Sequence, residues 1–225
     1  MRLAIFDLDN TLLAGDSDYL WGEFLVEQGL VDGQAYARDN RRYYEAYLAG
    51  TLDIVAFAAF SLAPIVKYGA AKLAALRPRF VAEKIEPIVA AGTPALLERH
   101  RAQGDHLLIT TATNRFITEP IAELLGVTDL IATEPEVVAG RHTGRIAGVP
   151  NFRDGKLERL GLWKALQTQT FSGMTVYSDS HNDLPLLRAA DQPVAVDPDA
   201  QLRDEAQRRG WPIISLRVPA AAATA

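Results

Sequence analysis

Two acidic residues stand on either side of one leucine near the start of the chain. In AIFDLDNTLL (4–13), Asp7 and Asp9 follow a short apolar stretch that is typical of a buried strand. Because side chains alternate between the two faces of a strand, both carboxylates project to the same side. Two like charges at the end of a buried strand are costly unless they are offset, and such hard oxygen ligands suit Mg²⁺. The competing interpretation is that each aspartate caps the following turn.

A second pair of carboxylates follows another apolar stretch. VYSDSHNDLPLL (176–187) places Asp179 directly after a predicted strand and Asp183 four residues later. The spacing indicates a second acidic contribution to the same edge of a sheet. Asp183 could instead serve the N-terminus of the next helix, where acidic side chains are favoured.

Hydroxyl and ammonium groups occupy comparable places elsewhere. LLITTATNRF (107–116) ends a strand in threonines whose hydroxyls could bind an oxyanion, namely Thr110, Thr111 and Thr113. NFRDGKLERL (151–160) places Lys156 at the start of a helical pattern. The competing interpretations are a purely structural role for the threonines and a solvated side chain for the lysine.

Short apolar stretches alternate with amphipathic helical patterns along most of the chain. Buried strands are predicted at 3–6, 106–110, 129–133, 174–178, 193–196 and 212–215. Helices are predicted at 93–104, 114–126, 156–168, 182–190 and 199–210. This alternation predicts an α/β fold with a doubly wound parallel sheet. Ligands bind beyond the carboxyl ends of the strands in such sheets, which is where Asp7 and Asp9 lie.

One region breaks the alternation. From 16 to 87 the residues predict helices and no strand, which indicates an all-helical domain inserted after the first strand. The predicted organisation is an α/β core formed by 1–15 and 88–218, with the helical domain at 16–87. The low-complexity tail, 219–225, is expected to be disordered.

Composition excludes several functional classes. The chain has 225 residues and no cysteine, so disulfides, thiolate catalysis and Cys-based zinc sites are excluded. Its net charge of −5, without a Lys/Arg-rich stripe, argues against a nucleic-acid partner. The N-terminus lacks a signal-peptide pattern, and no apolar stretch approaches the roughly 20 residues that span a bilayer. We therefore expect a cytoplasmic protein without a membrane partner, either a monomer or a homodimer.

The order of these motifs resembles the haloacid dehalogenase (HAD) superfamily of aspartate-nucleophile phosphatases. The stretch Asp7-Leu8-Asp9-Asn10-Thr11 matches the first signature completely, and the later threonine, lysine and paired aspartates follow in the same order. The position of the helical insertion further resembles subfamily IB, the phosphoserine phosphatase-like group with a helical C1 cap. Two departures are Thr111 where serine is commoner and SDSHND in place of GDGxND. We interpret His181 in that segment as a local shaping residue, and the choice between Thr110 and Thr111 stays open.

The resemblance implies roles for the residues that carry the reaction. Asp7 would be the nucleophile that forms an aspartyl-phosphate, and Asp9 would act as the general acid and base. Lys156 and Thr111 would bind the non-bridging phosphate oxygens. The helical insertion would be a cap domain that closes over the substrate.

The resemblance also implies a magnesium site. Asp7, Asp179 and the backbone carbonyl of Asp9 would hold Mg²⁺, and Asp183 would orient Lys156 or a water on the metal. The expected substrate is a small-molecule phosphate ester. A phosphotransferase or phosphomutase with the same intermediate is the alternative, followed by a non-catalytic binding module.

Asp16 is the candidate for recognition of the leaving group. It stands where phosphoserine phosphatases, which the chain resembles, place a carboxylate that binds the substrate's amino group. An amine-bearing substrate such as phosphoserine or histidinol phosphate is therefore predicted. The competing interpretation is that Asp16, Ser17 and Asp18 form a helix N-cap.

Overall fold

A parallel sheet organises the structure, a computed structural model that describes residues 1–217. Its strands are β1 (Leu3–Phe6), β2 (His106–Asn114), β3 (Asp129–Thr133), β6 (Met174–Ser178), β7 (Gln192–Val196) and β8 (Ile213–Ile214), and a separate hairpin contains β4 (Pro135–Val138) and β5 (Arg141–Ile146). The six-stranded sheet has the order β3-β2-β1-β6-β7-β8 with parallel pairing throughout. This confirms the predicted fold class.

Helices cover both faces of this sheet. They are α1 (Ser17–Glu27), α2 (Gly33–Leu48), α3 (Ile54–Tyr68), α4 (Ala70–Ala74), α5 (Arg77–Phe80), α6 (Thr93–Ala102), α7 (Arg115–Leu124), α8 (Asp154–Ala165), α9 (Leu184–Ala189) and α10 (Ala200–Arg209). Shorter helical turns span Val81–Ile85, Glu86–Ile88 and His181–Asp183. The five helices predicted outside the insertion are all present, with ends that differ by up to three residues.

The central strand explains the two-sided core. All four residues of β1 are fully buried, because a parallel strand with helices on both faces needs apolar side chains in both directions. Ala4 and Phe6 belong to one hydrophobic cluster, with residues of α6 and α7. Leu3 and Ile5 belong to the other, with residues of α8, α9 and α10. The alternation of side chains therefore joins the two layers of the doubly wound core.

The β4–β5 hairpin was not predicted from the sequence. Its strands are antiparallel and largely exposed, and they lack the apolar pattern that marks the strands of the main sheet. Two residues with positive φ, Ala139 and Gly140, form its turn. The hairpin lies against α3, where a Cβ atom at Gly144 would be 3.4 Å from the Val66 side chain.

The segment between β1 and α6 is helical, as predicted. The two ends of this segment lie side by side, since Leu13 and Val89 form an isolated antiparallel bridge. The chain therefore leaves the core and returns to it at one place. The amide of Ala14 donates to the carbonyl of Ile88 (2.6 Å), and that of Ala90 donates to the carbonyl of Leu12 (3.0 Å). We call residues 17–88 the helical insertion.

The helical insertion shares its core with the sheet. Trp21 packs against Phe24 and Phe80 within the insertion and against Phe116 of α7, with 6.0 Å between the Trp21 and Phe116 ring centroids. Within residues 1–217 no single helix is long and apolar enough to cross a membrane, although α3 and the stretch 70–88 together reach that length across a 100° bend. The tail predicted to be disordered, 219–225, lies outside the described residues.

Candidate active site

The ends of three neighbouring strands bring the predicted residues together. Asp7 directly follows β1 and its amide donates to the carbonyl of Tyr177 in β6 (2.9 Å). Asp179 directly follows β6, and Thr111 lies in the last part of β2. All three side chains are buried. The chain turns away after Asp9 through Asn10, which adopts a positive φ of 57°.

Lys156 binds two carboxylates inside the protein. Its ammonium donates to Asp7 Oδ1 (2.9 Å) and to Asp183 Oδ2 (2.8 Å), and Ser178 also donates to Asp183 Oδ2 (2.7 Å). The lysine is only 2% exposed, so the solvated interpretation is wrong. Asp183 is the N-cap residue of α9, but its side chain makes no capping hydrogen bond there. The carboxylate of Asp183 binds Lys156 and Ser178 instead.

Burial controls the charges of this ion pair. Loss of water raises the pKa of Asp7 to about 7, an effect that Lys156 opposes and that Asp183 and Asp9 increase. Burial by itself would lower the pKa of Lys156, but the carboxylates of Asp183 and Asp7 outweigh it and raise that pKa above its ordinary value. The ammonium therefore stays charged beside the proposed nucleophile.

Three donors orient the carboxylate of Asp9. The amide of Ser17 donates to Oδ1 (2.7 Å), while Thr113 and Thr111 donate to Oδ2 (2.8 and 3.2 Å). The hydroxyl of Thr110 instead accepts from the side chain of Asn151 (3.0 Å). Of the two threonines left open by the sequence, Thr111 is therefore the one whose hydroxyl lies in the site.

Asp179, a predicted metal ligand, forms two hydrogen bonds with Thr11. Thr11 donates to Asp179 Oδ1 (2.9 Å) and accepts from the Asp179 amide (3.0 Å). Burial, then the charges of Asp7 and Asp183, raise the pKa of Asp179 well above its ordinary value. The two buried carboxylates of Asp7 and Asp179 therefore repel each other, and a divalent cation with oxygen preference would relieve that repulsion.

The donor set fits magnesium better than a metal that needs many side chains. Residues 1–217 contain no group of three or more His, Asp or Glu side chains arranged to hold a metal. The predicted ligands are two carboxylates and one backbone carbonyl. Mg²⁺ is commonly held by one or two carboxylates together with waters and substrate phosphate.

A cavity opens between the strand ends and the helical insertion. Asp7, Asp9 and Thr111 line one side, and tyrosines of α2 and the first turn of α3 line the other. Asp16 and Asp18 line it at the start of α1. Among the described residues, none of the lining side chains is a lysine or an arginine. The part of the cavity that faces Asp7 and Asp9 from α1, α2 and α3 is therefore acidic and aromatic.

Asp16 lies both at the N-terminus of α1 and in the wall of the cavity. Its carboxylate caps α1 by accepting from the amide of Tyr19 (2.8 Å), and the residue also lines the cavity. Burial, then the charge of Asp9, raises the pKa of Asp16 well above its ordinary value. A cationic group in the cavity would stabilise the charged form.

Four residues connect the end of α2 to the core. We call them the α2 latch, and they are Gly50, Arg153, His181 and Asn182. The Arg153 guanidinium donates to the Gly50 carbonyl and to Asn182 Oδ1 (3.1 Å). His181 is held by Asp199 (2.7 Å) and fills the space beside Gly50, where an added Cβ atom would lie 2.7 Å from His181 Nε2. His181 therefore shapes the boundary between insertion and core.

Sequence reasoning missed several residues that build this site. Asn151 donates to Thr110 and to the carbonyls of Thr111 and Ile131, which holds the ends of β2 and β3 together. Tyr47 of α2 lines the same cavity as Asp7 and Asp9. Nothing in the local sequence marks Asn151, whereas the spacing of the α2 tyrosines is an available signal.

Comparisons with known proteins identify relatives of this chain. Residues 4–188 match the model of the family described as haloacid dehalogenase-like hydrolase. A protein of Neisseria meningitidis named "Histidinol-phosphatase" is 43% identical over 220 residues, covering 96% of this chain and 99% of the relative. "Phosphoserine phosphatase SerB1" of Mycobacterium tuberculosis is 32% identical over 225 residues, covering 98% of this chain and 72% of the relative.

Solved structures show the same fold. A Bordetella pertussis protein described as of unknown function has a TM-score of 0.90 and 42% identity, covering 96% of this chain and 98% of that one. A substrate-bound phosphoserine phosphatase has a TM-score of 0.61 at 18% identity, covering 96% and 93%, and its likeness concerns the fold alone. The chain belongs to the haloacid dehalogenase-like hydrolases.

Proposed function

We propose that this chain is a magnesium-dependent phosphomonoester hydrolase that acts on a small phosphorylated metabolite through an aspartyl-phosphate on Asp7. The observation that carries the proposal is the Asp7 carboxylate at the wall of the cavity, paired at 2.9 Å with a buried Lys156. The relatives named as phosphatases support the same reaction class.

The residues divide the reaction between them. In the first step Asp7 forms a bond to phosphorus while the ester P–O bond breaks and Asp9 gives its proton to the leaving alkoxide. In the second step water attacks the same phosphorus, Asp9 accepts the water's proton, and the bond to Asp7 breaks. Ser17 and Thr113 hold Asp9 in the orientation that both transfers need.

Lys156 and Thr111 stabilise the charge on the transferred group. The ammonium of Lys156 lies beside Asp7 and is available to non-bridging oxygens, where negative charge collects. Asp183 positions that ammonium from its other side (2.8 Å). We propose that Asp7, Asp179 and the Asp9 carbonyl hold Mg²⁺, which would screen the repulsion between the nucleophile and a phosphate dianion.

The helical insertion acts as the cap domain, with the boundary predicted from the sequence at 16–87. It contributes Asp18 and the tyrosines of α2 to the cavity, next to Asp16, which caps its first helix, so it contacts the leaving group. A leaving group with a carboxylate would meet acidic side chains and, among the described lining residues, no cation. We therefore propose an amine-bearing alcohol without a carboxylate, with histidinol phosphate preferred over phosphoserine.

Phosphate release tests the reaction and the preference together. The purified protein, first treated with EDTA, is assayed with Mg²⁺ or Ca²⁺ on histidinol phosphate, phosphoserine and p-nitrophenyl phosphate. We expect turnover in water with Mg²⁺ and little with Ca²⁺, because calcium takes more oxygen ligands at longer distances. Full activity in EDTA would contradict the metal site, and a requirement for an added sugar phosphate would favour the phosphomutase. A preference for phosphoserine would refute the argument from the cavity's charge.

Replacement of the nucleophile tests the intermediate. Asp7→Ala should lower kcat by at least about 10³-fold, because no other group can form the covalent bond. Asp32→Ala removes a carboxylate that caps α2 at an exposed position and should keep wild-type turnover. Substantial activity of a folded Asp7→Ala protein would end the aspartyl-phosphate proposal.

A further inference from the structure

Asp18 is a buried carboxylate that the reaction described above does not use. It lies in the first turn of α1, is 7% exposed, and lines the cavity. Ser61 of α3 donates to Asp18 Oδ1 (2.8 Å) and itself accepts from Asn114 at the end of β2 (3.3 Å). Three separate elements therefore hold one acid against the cavity.

The partners of Asp18 differ from those of the nucleophile. Asp7 pairs with Lys156 of α8, whereas Asp18 accepts from Ser61 of α3. Asp18 therefore lies between α1 and α3 on the side of the cavity that the helical insertion forms, where it can meet a part of the ligand other than the phosphate.

Aromatic and apolar side chains form the walls beside Asp18. Tyr43 and Phe57 line the cavity with their ring centroids 5.4 Å apart, and Ile54 lies one turn from Phe57 on α3. Ser61 continues that face of α3, four residues after Phe57. Flat walls of this kind accept a ring, and a carboxylate at their end favours a basic nitrogen on it.

We propose that Asp18 is a specificity-determining residue that binds a basic ring nitrogen of the leaving group, while Asp16 binds its amine. The substrate class is then a phosphate monoester of an amino alcohol that carries a basic heteroaromatic ring such as imidazole. The turnover assays of this inference rest on the proposed phosphatase function. A binding assay tests the role of Asp18 separately from that function. The opposing interpretation is that Asp18 only joins α1 to α3 through Ser61.

Asp18→Asn removes the charge but keeps an oxygen that can accept from Ser61. We expect the ratio of kcat/KM for histidinol phosphate to that for p-nitrophenyl phosphate to fall by at least about 10-fold, because a desolvated ion pair is lost. The inhibition constant of free histidinol against p-nitrophenyl phosphate should rise by a similar factor. Asp32→Asn makes the same charge change at an exposed helix cap and should alter neither quantity.

An equal fall in kcat/KM for both substrates, or an unchanged inhibition constant of histidinol, would overturn the proposal. Asp18 would then have only the structural role of connecting α1 to α3 through Ser61. If Asp18→Asn does not fold, Ser61→Ala is the second test. This variant removes the hydrogen bond that orients the Asp18 carboxylate and leaves the charge of that carboxylate unchanged. We then expect weaker inhibition by histidinol, and unaltered inhibition would overturn the proposal.

Calorimetry of histidinol binding separates this inference from the phosphatase proposal. A wild-type protein without turnover of p-nitrophenyl phosphate would refute the phosphatase function. Histidinol binding that is present in the wild type and weakened in Asp18→Asn would still support the role of Asp18. Absence of histidinol binding to an active wild-type enzyme would overturn that role alone.

Discussion

At the scale of single residues, the decisive feature is an ammonium shared by two buried carboxylates. Lys156→Ala would leave Asp7 and Asp183 without their cation. We expect loss of turnover and a fall of about 3–5 kcal/mol in the free energy of unfolding, because breaking a buried pair leaves an uncompensated charge. Urea unfolding in EDTA at pH 8 measures this.

A surface lysine supplies the control for that variant. Lys84 pairs with Glu27 at 2.7 Å near the surface, where Lys84→Ala should cost no more than about 1 kcal/mol. An equal fall in the free energy of unfolding in the two variants would contradict the stabilising role of the buried ion pair. The loss of unfolding free energy in Lys156→Ala should also be smaller at pH 5, because Asp7, whose pKa is raised to about 7, is then protonated.

The sequence predicted the meeting of Asp7, Asp9, Asp179 and Lys156 because each follows a strand or begins a helix at one edge of the sheet. Parallel topology alone brings such positions together. Asn151 and Arg153 could not be predicted, since each acts across a long chain separation and no local pattern requires it. The catalytic roles of the predicted residues stay predictions until the variants are assayed.

At the scale of elements, the end of α2 depends on a glycine. Gly50 has φ of +67°, and a Cβ atom there would meet His181 of the α2 latch. Gly50→Ala should therefore displace the end of α2 and lower kcat/KM for p-nitrophenyl phosphate by about 10-fold or more, because small displacements near a reacting group are costly. Steady-state kinetics on the folded variant measure this.

Gly29 is the matched glycine. Its φ is +65°, but a Cβ atom there would meet nothing within 4 Å. Both alanine variants carry the same backbone strain, of about 1–2 kcal/mol. Gly29→Ala should lose stability yet keep kcat/KM, and a similar loss of activity in both would mean that contact with His181 is unimportant.

Elements with a strong apolar pattern were predicted correctly, and the weakly patterned ones were not. Five of the six strands of the sheet, all except the edge strand β8, consist mostly of buried residues and are rich in apolar side chains. The confirmed fold class follows from the alternation of the strands with helices. The β4–β5 hairpin is exposed, so its residues need no apolar pattern; Glu136 accepts instead from Thr143 and Arg145 across the strands. Its strands can be recognised only through their pairing.

At the scale of the whole molecule, buried acids make stability depend on pH. The pKa values of Asp7 and Asp18 are both raised to about 7, by burial first. Between about pH 4 and 7 the folded protein therefore holds protons that the unfolded chain has released, so the free energy of unfolding falls as pH rises. A shift of three pKa units corresponds to about 4 kcal/mol for one such group.

Urea unfolding in EDTA should thus give a higher free energy of unfolding at pH 5 than at pH 8. Asp18→Asn should show a shallower decline than the wild type over that interval, since one titrating group is gone. Mg²⁺ should stabilise the protein more at pH 8, because its carboxylate ligands must be deprotonated. Identical slopes for the variant and the wild type would contradict a raised pKa at Asp18.

The paired residues Leu13 and Val89 have a consequence for inheritance. Residues paired in this way have Cα atoms about 5 Å apart, so the whole helical insertion leaves and returns at a single point of the core. Asp16, Asp18 and the tyrosines of α2 are encoded between those two codons, whereas Asp7 and Lys156 are encoded outside them. Recombination of one continuous gene segment would therefore transfer a substrate preference between relatives while the chemistry is inherited unchanged.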